Sequence, residues 1–251
     1  MIFSGPHYYL GLIQAALAVC YVLLGVFAAG RNKWVDRIAA WVIGAYLLLY
    51  KSWEYGPFST VPIDLSAISY FLFGVAAFVP FRPVKAAGSV SAMLSGAVYF
   101  FTMILYPETH VESLLANRWH LLIMAMVNHN VMFVGGLFLC ARNTFRRTDC
   151  VWVLGWFAFY LAYYELVTAG YGMTSNVTAI TGILDGSLVA GVLGLPLTAG
   201  YYVGYYVIVI IALALIASAF VLLNRAFTRR REKKGVFLPA LSASPLAEFA
   251  A

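Results

Sequence analysis

Six ionisable side chains stand inside or at the edges of strongly apolar runs: Lys51, Glu54, Asp64, His120, His129 and Glu165. An ionisable group at membrane depth costs about 2.5–3.5 kcal/mol on insertion scales, so each needs a partner, a cavity or a function. His129 is flanked by two amides, as Asn128-His129-Asn130, in the middle of WHLLIMAMVNHNVMFVGG. In a second segment, Ser66, Ser69 and Tyr70 share a helix face by their i, i+3 and i+4 spacing. A serine hydroxyl beside a histidine is the equipment of acyl transfer, in which the imidazole takes the proton and a third group orients the imidazole. In that chemistry Ser66 is the nucleophile and His129 the base. Asp64, Glu165 or the asparagines would orient the base or receive the charge of the oxyanion. Asn128, Asn130, Ser69 and Tyr70 would then line the substrate side.

Structural roles compete for the same residues. Lys51 and Glu54, three apart at a helix end, can simply pair. Asp64, two residues after Pro62, suits the N-cap of a helix, where a carboxylate meets free N–H groups. Small hydroxyls in membrane helices also serve packing. His120 and His129 are nine residues apart, or about 900° of helix, so they lie on opposite faces and cannot grip one ligand.

Other chemistries lack their residues. Retinal binding needs a lysine in the last apolar segment, and 200–224 has none. Haem between helices needs axial ligands on facing elements. The cysteines, Cys20, Cys140 and Cys150, form no CxxC and are odd in number, so neither a disulfide framework nor a metal site is expected. No cofactor is called for. Two alternatives remain open: a non-catalytic lipid-binding or accessory subunit of an envelope-lipid complex, and a proton-coupled transporter using Asp64, Glu165 and His129.

The elements that must position these residues follow from composition. Of 251 residues, 63% are hydrophobic and 10% charged, and the mean hydropathy is +0.86. That excludes a soluble globular domain. Apolar runs separated by breaks give seven segments, about 8–30, 38–55, 61–81, 86–106, 119–141, 150–171 and 200–224. The expected fold is therefore all-α, a polytopic bundle of seven transmembrane helices. Fourteen of the sixteen Lys and Arg residues fall after spans one, three, five and seven. This alternation puts the N-terminus outside and the C-terminus in the cytoplasm. It also makes nucleic-acid binding a poor explanation of the +6 charge.

Residues 1–224 form the expected membrane domain and 225–251 a basic, disordered cytoplasmic tail. Met1 to Tyr9 has no Lys or Arg, so the first span is expected to stay in the mature protein. Residues 172–199 read as an outer loop or a re-entrant segment. His129 lies about 15 Å along span five, and Glu165 about 9 Å inside the outer end of span six, at 1.5 Å per residue. The ionisable set crowds into the outer half, so a site should open outward and the inner half of the bundle should hold almost no ionisable groups.

The strings VPIDLSAISYFLFGVAAF, AMLSGAVYFFTMILYP, WHLLIMAMVNHNVMFVGGLFL and LGLPLTAGYYVGYYVIVI, in this order across about 60–215, resemble the YwaF-like bacterial integral membrane proteins. Those look related to a vertebrate acyltransferase family that remodels ether phospholipids, and more distantly to hydrolases of branched fatty-acid esters. The resemblance implies a multi-pass protein of the bacterial plasma membrane with a membrane lipid as substrate and, for an accessory role, a membrane-protein partner. Aligned at Pro62, Ser66 stands where the family has its acyl-accepting cysteine and Asp64 where it has a histidine. The family's catalytic histidine falls at His129. The hydrolase relatives pair a threonine hydroxyl with a histidine, which makes a Ser66–His129 pair chemically reasonable.

Overall fold

The computed structural model describes residues 6–56, 61–105, 107–108, 110–111, 119–171 and 186–233, and among these no strand is present. The helices are α1 (Tyr8–Phe27), α2 (Lys33–Tyr55), α3 (Leu65–Phe78), α4 (Arg82–Leu105), α5 (Trp119–Arg142), α6 (Asp149–Tyr171), α7 (Ser187–Leu193) and α8 (Ala199–Lys233). Five of them, α1, α4, α5, α6 and α8, are long and apolar enough to cross a membrane. Large apolar side chains such as Val22, Leu49, Leu166, Ile208 and Leu215 point outward, as a lipid-facing surface requires and an aqueous one penalises.

The second and third expected spans depart from that pattern for local reasons. Helix α2 has 23 residues, but charged residues at both ends, Lys33, Asp36 and Arg37 at one and Lys51 and Glu54 at the other, dilute its apolar stretch. Helix α3 has 14 residues, about 21 Å at 1.5 Å each, against a hydrocarbon core of about 30 Å. Pro62 and Pro80 bound it: the residue before a proline avoids the helical region, and Val79 is extended at ψ 131°.

The turns are built from short-range chemistry. Gly30 takes a left-handed φ of 73°, which lets the chain reverse between α1 and α2. Asn32 then caps α2, its side-chain oxygen accepting from the N–H groups of Trp34 and Val35.

Helix α4 is the centre of the bundle, packed on α1, α3, α5 and α6. Its small residues allow the close approach. A Cβ added at Gly88 would sit 2.5 Å from Ala76 Cβ on α3, and one at Gly96 would sit 2.6 Å from Phe133 Cβ on α5. Hydroxyls add directional ties: Ser69 Oγ and Ser91 Oγ are 2.5 Å apart, and Trp156 Nε1 donates to Ser91 at 3.1 Å, joining α3, α4 and α6.

One end of the bundle departs from the expectation of an ion-poor inner half. Asp36, Lys85, Asp149 and Arg231 are all buried there. Asp149 pairs with Arg82 at 2.8 Å and accepts from the Arg146 N–H. Arg231 donates to the carbonyls of Ala141 and Asn143 and to the hydroxyls of Thr144 and Thr228. Asn224 donates to the Cys140 and Asn143 carbonyls, and Arg230 to those of Gly25 and Ala29. Side chains of α8 thereby satisfy the orphan carbonyls that end α1 and α5.

For this reason α8 stays helical and packed through Lys233, past residue 225, where the sequence suggested a disordered tail. Phe227 and Arg231 are buried in that stretch. Residues 234–251, and 172–185 of the stretch expected to form an outer loop or a re-entrant segment, lie outside the described residues.

Candidate functional site

Three consecutive polar residues on α5 point in three directions, as steps of 100° require. Asn130 faces α1, where its amide and that of Gln14 exchange two hydrogen bonds of 3.1 Å and its oxygen also accepts from Tyr21 Oη at 2.6 Å. The Asn130 amide also donates to the Met126 carbonyl. Asn128 faces α2, where its oxygen accepts from Tyr46 Oη at 2.7 Å and its amide meets Tyr50. His129, between them, faces α3 and α4.

The imidazole of His129 is held on two sides. Its ring lies flat on Tyr99, centroids 4.1 Å apart and planes 10° from parallel, and edge-on to Tyr70 at 5.6 Å. Its Nδ1 is 2.8 Å from the Ala125 carbonyl. A carbonyl only accepts, so Nδ1 carries the proton and Nε2 is left as the acceptor. The position that an orienting carboxylate would take is filled by main chain.

Around this ring lies a polar chain that the sequence reading did not assemble. Lys51, buried, donates to Glu54 Oε2 at 2.5 Å, the pairing expected from their spacing. Its ammonium also sits over the Tyr70 ring at 4.7 Å and within 5.6 Å of Tyr50 and Tyr55, a cation–π enclosure that helps a lysine survive burial. On the other side, His110 packs against Tyr99 at 5.0 Å and its Nε2 meets Thr102 Oγ1 at 2.9 Å. Burial holds His110 below the usual histidine pKa, in its neutral form.

The expected site residues are thus partly assembled. Tyr70 and His129 meet. Ser66 lies on α3 one turn before Tyr70, about 6 Å of helix rise, and among the described residues its hydroxyl makes no hydrogen bond to His129. Ser69 is committed to Leu65 and Ser91, on the α4 side of α3. Asp64 occupies the N-cap position of α3, as its spacing from Pro62 suggested, but its side chain makes no capping bond. It lies within electrostatic reach of Tyr55 and Tyr160. The backbone just before it is strapped to α6: Tyr163 Oη donates to the Pro62 carbonyl at 2.7 Å and Tyr160 Oη to that of Ile63 at 3.2 Å. Glu165 falls within α6, and its side chain is outside the described residues. His120 is exposed at the start of α5.

Gln14, Tyr99 and His110 were missed. Gln14 carried a signal, an amide in the middle of the apolar run LGLIQAALAV. His110 carried none, because it lies in the connection after α4 and only the fold brings it to Tyr99.

No protein-family model, no curated protein and no solved structure matches the chain. The functional reading therefore rests on the residues themselves. Among the described residues, no three His, Cys, Asp or Glu side chains converge as metal ligands do.

Proposed function

We propose that this chain is a seven-span integral membrane enzyme of acyl transfer or lipid-ester hydrolysis, related to the YwaF-like proteins of bacterial plasma membranes. Its N-terminus lies outside, its C-terminus lies in the cytoplasm, and its lipid substrate enters from the outer leaflet. The observation that carries the reading is His129: an imidazole at membrane depth, fixed in one tautomer by Ala125 and left with Nε2 as acceptor beside Tyr70, one turn from Ser66. Support for seven spans comes from the charge alternation and from α2 and α3, which fill the sequence interval between α1 and α4.

In the proposed reaction, Ser66 Oγ attacks the acyl carbonyl while its proton passes to His129 Nε2. The tetrahedral oxyanion forms beside Tyr70 and the Lys51 ammonium, which stabilise its charge. Collapse breaks the ester C–O bond, and His129 returns the proton to the departing alcohol. Water or a second lipid alcohol then releases the acyl group by the reverse sequence. Ser66 and His129 close on one another only when an ester enters, as catalytic hydrogen bonds commonly do.

The test is release of a labelled acyl chain from a panel of phospholipids and ether lipids in reconstituted membranes. Turnover by wild type, with loss of at least about a hundredfold in Ser66→Ala and in His129→Ala, is the expected result. Turnover unchanged in either variant overturns the mechanism.

A second reading is favoured by the absence of a Ser66–His129 hydrogen bond and by the internal commitment of Asn130 and Ser69: a non-catalytic lipid-binding or accessory subunit. A reproducible protein partner in mild detergent, together with no ester cleavage on the same panel, would establish it.

A further inference from the structure

At the end of the bundle opposite Ser66, where α1 ends and α2 begins, a small cavity of about 60 Å³ is lined by Lys33, Trp34, Arg37 and Arg142. The spacing of Trp34, Arg37 and Trp41 along α2, i, i+3 and i+7, stacks a cation between two indoles on one helix face. The Arg37 guanidinium lies 5.2 Å from the Trp34 ring centroid and 5.4 Å from that of Trp41. Arg142, arriving from the end of α5, lies 5.5 Å from the same Trp41 ring, and Lys33 lies 6.0 Å from Trp34.

Three cations therefore converge, and among the described residues none has a carboxylate partner. Arg142 makes one long contact, 3.5 Å, to the Ala77 carbonyl at the end of α3, whereas Lys51 has Glu54, Arg82 has Asp149, Arg230 has the carbonyls of Gly25 and Ala29, and Arg231 those of Ala141 and Asn143. Two guanidinium groups held against one indole repel each other unless an anion joins them, and a guanidinium fork matches the oxygens of a phosphate. The surroundings show where the anion comes from. Trp34 is exposed in the cavity wall, Ile38 is exposed one turn further along α2, and Phe78 at the end of α3 is exposed and stacked on Trp41 at 6.5 Å. Such a rim favours a ligand whose charged head carries hydrocarbon chains. In the orientation proposed above from the basic connections, this end lies at the cytoplasmic leaflet, which is rich in anionic lipid.

We propose that this cavity binds the phosphate-bearing headgroup of an anionic membrane phospholipid, with Arg37, Arg142 and Lys33 as its ligands and the indoles of Trp34 and Trp41 as its walls. The site is separate from the His129 cluster and does not depend on the acyl-transfer reading.

The experiment is native mass spectrometry of the full chain in neutral detergent, titrated with phosphatidylglycerol, with phosphatidylcholine and with inorganic phosphate as competitor. Wild type should retain phosphatidylglycerol in preference to phosphatidylcholine. Arg37→Gln and Arg142→Gln should each weaken retention about fivefold, and Arg147→Gln, at an exposed basic position nearby, should leave it unchanged. Lys33 is exposed on the first turn of α2, so Lys33→Gln supplies a further measurement if Arg142→Gln does not fold. Equal retention of phosphatidylcholine would overturn the proposal. So would full displacement by millimolar phosphate, which would mark a site for free phosphate, or unchanged retention in both Lys33→Gln and Arg37→Gln.

Discussion

The His129 imidazole and the Tyr99 phenol are stacked, 4.1 Å between centroids and 10° between planes, so the position of the candidate base on α5 is set by a ring carried on α4. The register of those two helices is fixed by small residues. Gly96 lies three positions before Tyr99, and a Cβ there would stand 2.9 Å from the His129 carbonyl as well as 2.6 Å from Phe133 Cβ.

Gly96→Ala should therefore push α4 and α5 apart. Neither contact is with the end of a flexible side chain, so the clash is relieved only by moving backbone, at a cost of about 1–3 kcal/mol. A thermal-unfolding series in detergent should show Gly96→Ala destabilised. Gly155→Ala, with nothing within 4 Å of the new methyl, should be neutral or slightly stabilised. Equal midpoints for the two variants would show that the α4–α5 approach is not tight.

The Asn130–Gln14 pair predicts a coupling. Both amides are buried and bonded to one another, and interhelical hydrogen bonds in membranes contribute about 0.6 kcal/mol on average and about 1.7 at most. Asn130→Leu should destabilise by more than that, because Gln14 and Tyr21 lose their acceptor in an apolar interior. The double variant Gln14→Leu/Asn130→Leu should recover part of the loss. A double-mutant cycle with purely additive effects would contradict the pairing.

At the end of the bundle where α1 begins, Glu108 accepts from the main-chain N–H of His7 at 2.6 Å and meets His7 Nδ1 at 2.8 Å. These bonds hold its carboxyl below the ordinary value of 4.5. A depressed acid pKa means the clamp contributes fully above the unfolded-state value and is lost as pH falls through the lower, folded one. Hydrogen exchange at the His7 amide should stay slow from neutral pH down to the ordinary carboxylate range and quicken below it. Glu108→Gln should abolish that acid-dependent step. An exchange profile identical in the variant would refute the clamp.

Much of the architecture is legible in the sequence because membrane insertion imposes it residue by residue. The apolar runs, their prolines and the Lys–Glu spacing at 51 and 54 translate directly into helices, helix limits and an ion pair. The cost of an ionisable group at membrane depth also implied that His129 has a protein partner, but not which one. Adjacent residues on α5 look like one polar cluster in a string of letters, whereas 100° steps send Asn128, His129 and Asn130 to three different helices. The buried ionic end was hidden for another reason: Asp36, Asp149 and Arg231 stand at the limits of apolar runs, and only the tertiary fold encloses them, Arg231 where α8 docks on α5 and Asp149 against Arg82 of α4. The partners of His129 illustrate both limits, since Tyr99 is one aromatic among many and His110 comes from a connecting segment.

The central claim, that Ser66 and His129 form a working nucleophile and base, is tested most directly by intact-protein mass spectrometry after exposure to an activated-ester probe. The account predicts a single acyl adduct on wild type, absent in Ser66→Ala and formed at least about a hundredfold more slowly in His129→Ala. An adduct that persists in Ser66→Ala, or no adduct on wild type under conditions that label a known serine enzyme, would contradict it.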